Sequence, residues 1–409
     1  MLDMTVAEVH AVCIVEEIVQ ATAEVTARVG QCFKMKKDER RFSPSICLTH
    51  NCNLNCVYCY QKHGTEKMSL ETAKKCIDWI FSNTPEEFDG VEIDFIGGEP
   101  LLEFPLIKQI VDYTCSIDRK KPFIFFATTN GTVLTNEMKT WFSERKKCFW
   151  LGLSLDGHKD THDHNRSNSF DKMDIDFFKD NWPSQGVKMT LSEYSLLHLA
   201  ENIKYIHSLN LGLIGGVNLA EGDFDWGKDE YIRLLIPQLL ELVDFYVEHD
   251  HIVPNQMLDK QLEICEAEKG PGKWCGIGTG VPFFDTDGTR YPCSFITPMT
   301  FSREEIENIQ KTDFSNDINF LDDDCFKNCY IYPICPNCSG ANYMVNKTFK
   351  LRNKRKCRIQ KLIALFIADL QGKRIQKNPK RYDDTTLYYT IEAIKKIREL
   401  YLNEFKEFL

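Results

Sequence analysis

Between Ser45 and Asn218, short apolar runs alternate with stretches whose apolar residues recur every three or four positions. The runs Ile46 to Thr49, Val91 to Ile96, Phe123 to Thr128, Phe149 to Leu155, Val187 to Leu191 and Leu211 to Asn218 predict six strands, being short and rich in β-branched or aromatic residues. A helical period covers Ser69 to Ser82, Leu106 to Ser116, Asn136 to Lys146, Leu196 to Leu209 and Asp229 to Val247. Alternation of this kind builds a parallel sheet covered by helices, and six units would form an incomplete version of the eight-unit barrel. The pattern alone also allows an open sheet.

The flanks differ from this middle. Val6 to Val29 predicts a polar-faced helix and Lys34 to Arg41 a charged linker, together a segment 1–43 too short for a separate domain. Residues 44–250 hold the alternating units. From 251 to 360 a linker gives way, beyond Pro271, to Gly, Pro, Cys and Asp with little period, the texture of a segment organised by metal rather than by a large apolar core. Residues 361–409 regain helical period at Leu362, Ile363, Leu365 and Phe366 and again at Ile391, Ile394, Ile397 and Leu400, which predicts two closing helices.

The 409 residues carry a net charge of -10, which disfavours nucleic acid or anionic lipid as a partner. No apolar run is long enough to span a bilayer, and Glu8, His10, Glu16 and Glu17 interrupt any secretory apolar region, so a cytoplasmic location is expected. Seventeen cysteines are too many for packing alone, and a reducing compartment would not keep them as disulfides. Metal binding is the natural expectation. The cysteines concentrate in two places.

The first is Cys52-Asn-Leu-Asn-Cys56-Val-Tyr-Cys59, on the loop after the first predicted strand, where α/β folds place ligands. A 4Fe-4S cluster usually takes four thiolates, so three leave one iron open. The CxxxCxxC spacing, with Tyr58 before the last cysteine, resembles the radical S-adenosylmethionine (radical SAM) superfamily. That resemblance implies a partial (β/α)6 TIM-like barrel. It also implies a cluster whose open iron chelates SAM, and reductive cleavage to a 5'-deoxyadenosyl radical that abstracts hydrogen from carbon. Side-chain bases cannot do this, because such hydrogens are too weakly acidic. The alternative is half of a zinc knuckle completed by His50 or His63.

Further motifs follow in chain order. Gly97-Gly98-Glu99-Pro100 matches the family's GGEP, which implies contacts to the methionine ammonium of SAM, and Asn130 lies in a loop similar to the family's TNGT. Ser154, with Arg166 twelve residues later, resembles the SAM-binding Ser and Arg of anaerobic sulfatase maturases. Taken singly, these residues also fit tight turns and a solvated surface charge.

The second concentration is Cys275, Cys293, Cys325, Cys329, Cys335, Cys338 and Cys357, with Gly288 before Cys293. It resembles the SPASM domain, a C-terminal Cys-rich module carrying two auxiliary 4Fe-4S clusters. The spacing around Cys275, Gly288 and Cys293 fits that module, whereas the central order, CxxxC before CxxC, is reversed. The resemblance implies one cluster on Cys325, Cys329, Cys335 and Cys357, and another on Cys275, Cys293 and Cys338 that is one ligand short. Sulfatase maturases complete that second set with a cysteine where this chain has Val281. Cys265 or a substrate thiolate could fill the gap. A tetrahedral zinc site on Cys325, Cys329, Cys335 and Cys338 is the alternative. Cys13, Cys32, Cys47, Cys76, Cys115, Cys148 and Cys265 read as buried small hydrophobes.

Enzymes with this module modify ribosomally made peptides or proteins, so a precursor peptide is the expected substrate. A thioether or carbon-carbon crosslink or another oxidised residue is the expected product, and a flavodoxin or ferredoxin the expected reductant. Formylglycine formation in a sulfatase is the enzyme alternative, and a non-catalytic zinc-binding protein the third reading. Against the sulfatase reading, Ser294 replaces the catalytic Asp after the Pro-Cys pair, and Ile96 replaces the Gln before GGEP. A hydroxyl is no substitute for a carboxylate base. Asp285 and Asp287 read as turn residues before Gly288. The segment before the first strand is too short for a peptide-recognition domain, so leader binding would need another surface or a separate protein. The basic run from Lys347 to Arg358 could steer an acidic leader or form a solvated face.

Overall fold

The structure is a computed structural model that describes residues 40–211, 216–222, 224–267 and 273–408. The expected helix from Val6 to Val29 lies outside the described residues, as do Cys13 and Cys32.

Nine strands occur among the described residues: β1 (Arg41–Phe42), β2 (Ser45–Thr49), β3 (Gly90–Gly97), β4 (Phe123–Thr129), β5 (Phe149–Leu153), β6 (Met189–Leu191), β7 (Val217–Leu219), β8 (Phe283–Phe284) and β9 (Arg290–Tyr291). From β2 to β5 each strand pairs in parallel with the next, and β6 pairs in parallel with β7. Lys188 joins the two groups, donating from its N–H to the Leu153 carbonyl at 2.8 Å and accepting from the Leu155 N–H at 3.1 Å. Six parallel strands therefore follow one another in chain order as a partial (β/α)6 barrel. β1 continues the register of β2 against β3.

The helices are α1 (Leu70–Asn83), α2 (Phe104–Ser116), α3 (Asn136–Arg145), α4 (Lys159–Asn165), α5 (Ile175–Asn181), α6 (Leu199–Ser208), α7 (Asp229–Glu248), α8 (Arg303–Ile309), α9 (Asp323–Asn328), α10 (Ser339–Asn346), α11 (Cys357–Lys377) and α12 (Asp384–Phe405). Ser69 caps α1 by accepting the Thr72 N–H, and the helix buries Ala73, Cys76, Ile77 and Ile80, one face of a 3.6-residue repeat. Thr135 and Asp383 cap α3 and α12 in the same way. Five helices were not anticipated, α4 and α5 in the barrel and α8, α9 and α10 in the cysteine-rich region. α4 and α5 are seven residues each, and α4 is too polar to show a period. The last barrel strand is Val217–Leu219, and residues 212–215 of the expected run from Leu211 lie outside the described residues.

Alternation along the strands separates two faces. Val91, Ile93 and Phe95 of β3 are buried towards the helices, where the Phe95, Phe125 and Phe149 rings of three adjacent strands stack at 5.8 Å. Asp94 and Ile96 point the other way, into the barrel.

The C-terminal region docks on the free edge of β2. β8 pairs there in parallel, Ser45 opposite Phe283 and Ile46 opposite Phe284, and β9 folds back on β8. This region has its own aromatic core of Phe283, Phe295, Phe301, Phe320, Tyr343 and Phe349, so the expectation of a segment organised by metal rather than by an apolar core is corrected. The aromatics are too far apart in sequence to show a period. α11 and α12 form the two closing helices, and Arg374 of α11 donates to the carbonyls of Tyr246 and Ile252 at 3.0 and 3.1 Å.

Candidate active site

The loop after β2 is folded by its own backbone and by the ends of the neighbouring strands. His50 and Gly64 close it, His50 N–H donating to Glu66 and Gly64 N–H to His50. The Asn55 N–H donates to Ser167 Oγ, Val57 N–H to the Asn165 carbonyl and Lys62 N–H to the Met299 carbonyl. Cys52 and Cys56 are half-buried, Cys59 is exposed, and all three line one cavity of about 360 Å³ at the carboxyl ends of the strands. Burial pushes the Cys52 thiol up to about 11, with Cys56 and Cys59 among the charges that add to it. Burial also raises Cys56, while the Arg166 guanidinium opposes the rise. Three soft sulfur donors crowded on one loop match the donor set of a 4Fe-4S cluster with one open iron. His63 Nε2 lies 3.6 Å from Cys59 Sγ, so a fourth donor for zinc is also within reach.

The GGEP segment packs directly under that loop. Gly98 N–H donates to the Thr49 carbonyl at 3.0 Å and Glu99 N–H to that of Asn51 at 2.9 Å. A side chain at Gly98 would meet the Asn51 carbonyl oxygen at 2.2 Å, and Gly97 has φ of 152°, so both glycines are required by close backbone approach. Glu99 is buried, and its carboxylate accepts from Leu101 N–H, Thr129 Oγ1 and Asn130 N–H at 3.0, 2.7 and 2.8 Å. Burial raises its pKa against those donors. Both oxygens are engaged within the protein, so Glu99 fixes the ends of β3 and β4 relative to each other. Asn130 donates from Nδ2 to Asn53 Oδ1 at 2.9 Å and so ties the second loop to the first.

Arg166 is buried and forms a two-point ion pair with Asp156, Nε to Oδ2 at 3.0 Å and Nη2 to Oδ1 at 3.3 Å. Tyr58 donates its hydroxyl to Asp156 Oδ2 at 2.5 Å, and the guanidinium lies 5.4 Å from its ring centroid. Burial, then the Asp156 charge, raise the Tyr58 hydroxyl, which keeps it protonated. Arg166 is no solvated surface charge. Ser154 and Arg166 both line the cavity, as do Tyr58, Gly97, Gly98, Glu99 and Asn130.

The sequence did not single out Asp156, nor three further residues of the cavity wall: Asp94, Lys188 and Glu221. Asp94 is pushed up to about 7 by burial, with Lys188 opposing. Asp156 alone had a readable signal, since a buried Arg166 requires a nearby carboxylate.

The C-terminal cysteines gather in two further cavities. One of about 300 Å³ is lined by Cys325, Cys329, Cys335 and Cys357, the set expected together, and by Cys338, so it also holds the four cysteines of the zinc alternative. Lys354 Nζ lies 2.9 Å from Cys325 Sγ. The other, of about 280 Å³, is lined by Cys275, Cys335 and Cys338. Cys293 belongs with them: burial lifts it to about 11 with Cys275 contributing, and it contributes in turn to Cys338. Cys265 is buried in the large apolar core near Tyr330 and does not line either cavity. The basic run also differs from expectation. Arg352 is buried over the Tyr332 ring and Lys356 pairs with Glu221, so these two fold inward around the cavities, whereas Lys347 and Lys354, paired with Glu305 and Asp324, stay on an exposed face.

The Radical SAM superfamily model matches residues 46–174. An uncharacterised protein of Methanocaldococcus jannaschii is 38% identical over 27% of this chain and 37% of its own length. The antilisterial bacteriocin subtilosin biosynthesis protein AlbA of Bacillus subtilis is 33% identical over 28% of this chain and 25% of its own. These two matches thus cover well under two thirds of either relative. The cysteine-type anaerobic sulfatase-maturating enzyme of Clostridium perfringens strain 13 is 24% identical over 69% of this chain and 84% of its own. Among solved structures, histidine-tagged anSMEcpe with bound AdoMet superposes with a TM-score of 0.62 at 19% identity, over 87% of this chain and 98% of that one. Streptococcus suis SuiB bound to precursor peptide SuiA gives 0.52 at 13% identity, over 83% and 80%. At these identities the superpositions establish the shared fold, from the barrel through the cysteine-rich region.

Proposed function

We propose that this chain, whose residues 46–174 are a radical SAM domain, abstracts hydrogen from a residue of a ribosomally made precursor peptide and leaves a thioether or carbon-carbon crosslink or another oxidised product. Cys52, Cys56 and Cys59 would hold the 4Fe-4S cluster, and Tyr58, Gly97, Gly98, Glu99, Asn130, Ser154 and Arg166 would surround SAM. When bound, that pair supplies a 5'-deoxyadenosyl radical competent to take hydrogen from carbon. The chain's residues bind and orient. Gly98 lets the cysteine loop lie against β3, and Glu99 and Asn130 hold the strand-end loops in place. Asp156 aims the buried Arg166 at the cavity, where its remaining N–H groups suit a carboxylate.

The observation that carries this reading is the placement of all three loop cysteines and of residues from the three strand-end motifs on one cavity wall. The cysteine-lined cavities of the C-terminal region suit two auxiliary clusters, one on Cys325, Cys329, Cys335 and Cys357 and one on Cys275 and Cys338 with the neighbouring Cys293. Precursor peptides enter through the relatives: AlbA belongs to bacteriocin biosynthesis, and SuiB was solved with its precursor peptide. A flavodoxin or ferredoxin would supply the electron, and a separate protein could present the leader. No described helix is long and apolar enough to cross a membrane.

The sulfatase-maturing reading has the longer sequence match in its favour. The two departures from that pattern, Ile96 and Ser294, both stand on the wall of the same cavity, where they bear directly on the chemistry.

The test is anaerobic reconstitution with iron and sulfide, followed by SAM, dithionite and candidate short peptides encoded beside the gene. The expected result is 5'-deoxyadenosine release with a peptide mass lower by two hydrogens, abolished by Cys56→Ala. Equal nucleoside release by that variant overturns the reading. So does wild-type protein that holds zinc and shows no visible charge-transfer band.

A further inference from the structure

Glu221 borders the radical SAM cavity and both cysteine cavities of the C-terminal region; no other described residue lines all three. It follows β7, the last barrel strand, so the fold holds it at the seam between the two halves of the molecule. One carboxylate oxygen, Oε1, pairs with Lys356 Nζ at 2.5 Å. The other, Oε2, is buried without a hydrogen-bond partner. A buried carboxylate oxygen left unpaired is costly unless something cationic sits against it. Lys356 already neutralises one side.

Cys335 and Cys338 line both cysteine cavities together with Glu221. Burial pushes the Cys338 thiol up to about 12, and Glu221 is the strongest of the charges that add to it, ahead of Cys293. Tyr60, stacked at 4.3 Å on Phe295, has Cys338, Cys293, Cys59 and Glu221 as the charges around its hydroxyl. With Cys335 counted in the other set, the three-thiol group Cys275, Cys293 and Cys338 lacks a fourth sulfur. Cys265 lies elsewhere in the core, and Val281 carries no donor.

We propose that Glu221 Oε2 is the fourth ligand of the auxiliary cluster held by Cys275, Cys293 and Cys338. This rests on the reading of those cysteines as a 4Fe-4S site. Binding is a coordination step: the carboxylate oxygen donates a lone pair to the fourth iron, and no electron or proton changes hands. Carboxylate oxygen is a poorer electron donor than thiolate, so the cluster is easier to reduce than an all-cysteine one, in the direction seen when nitrogen replaces sulfur at such centres. An auxiliary centre with that property, beside the radical cavity, is placed to accept the electron that an oxidised product must release.

The experiment compares wild type, Glu221→Ala, Glu221→Cys and Cys338→Ala, each reconstituted anaerobically with iron and sulfide, by iron content, electron paramagnetic resonance and reduction potential. With Glu221 as ligand, Glu221→Ala loses one iron of the cluster and gives the oxidised three-iron signal. Glu221→Cys restores four irons at a lower potential than wild type. Unchanged iron count, resonance and potential in Glu221→Ala overturn the assignment and leave water or a substrate thiolate as the ligand. If Cys338→Ala also keeps the wild-type iron count, no cluster occupies those cysteines, and the underlying reading falls with the assignment.

Discussion

Asp156 is fully buried and receives Arg166, the Tyr58 hydroxyl, the Asn165 amide and the Thr190 N–H. Removing it strands a buried cation, which typically costs about 3–5 kcal/mol. Asp156→Ala should lower stability by that order, read as a shifted urea midpoint, and an unshifted midpoint would show the pair to be dispensable. His162 gives a prediction for pH. It is buried, its Nδ1 accepts from the Asp156 N–H at 3.4 Å, and its Nε2 lies 3.0 Å from Ser169 Oγ. Burial holds its pKa down at about 4. An unfolded histidine titrates near about 6.5, so on acidification the unfolded chain takes the proton first. The contribution of His162 is complete above about 6.5 and is lost as pH falls towards 4, on the order of 3 kcal/mol. Urea midpoints across that window should fall for wild type and fall less for His162→Gln.

At the scale of elements, the critical contact is backbone on backbone. Gly98→Ala would place a methyl group 2.2 Å from the Asn51 carbonyl oxygen and 2.8 Å from the Cys52 nitrogen, neither of which yields without moving the cysteine loop. Iron retained at that loop, and the absorption change on adding SAM, should drop at least several-fold. Gly372→Ala is the control. A side chain there meets nothing within 4 Å, and alanine in a helix is favoured by about 1 kcal/mol over glycine. Equal iron loading in the two variants would refute the close-approach argument. The strand-end loops were legible in the sequence because their chemistry is local, with cysteines, glycines and turn residues a few positions apart. Asp94, Lys188 and Glu221 were not legible. They reach the cavity from three different strands or strand ends, and only the closed sheet brings them together. α4 and α5 escaped notice for a different reason, since seven residues with mixed polarity fall below the length at which a period can be read.

At the scale of the whole molecule, a part-buried side-chain contact helps to fasten the cysteine-rich region to the barrel beside the β2–β8 pairing. His50 Nε2 lies 2.5 Å from Asp285 Oδ1, and Cys47 Sγ, His50 and Asp285 place their polar atoms within 4.8 Å of one another. Asp285 raises the His50 pKa, so the charged pair is favoured, and Glu66 supports it from the other ring nitrogen at 3.3 Å. Asp285 is thus more than the turn residue its neighbourhood suggests. Asp285→Ala should loosen the docked region and speed limited proteolysis between the two halves, at a cost of about 2 kcal/mol for a charge-assisted hydrogen bond. A digestion pattern identical to wild type would assign the fastening to the strands alone.

The parallel pairing of β8 with β2 has a consequence for biosynthesis. The partner of Ser45 and Ile46 is Phe283 and Phe284, so on the ribosome the open margin of the nascent barrel waits for more than two hundred residues to emerge. An uncovered strand of that kind invites intermolecular pairing. Recombinant yield should therefore depend on slow synthesis or chaperone supply, even under conditions where the finished protein is stable.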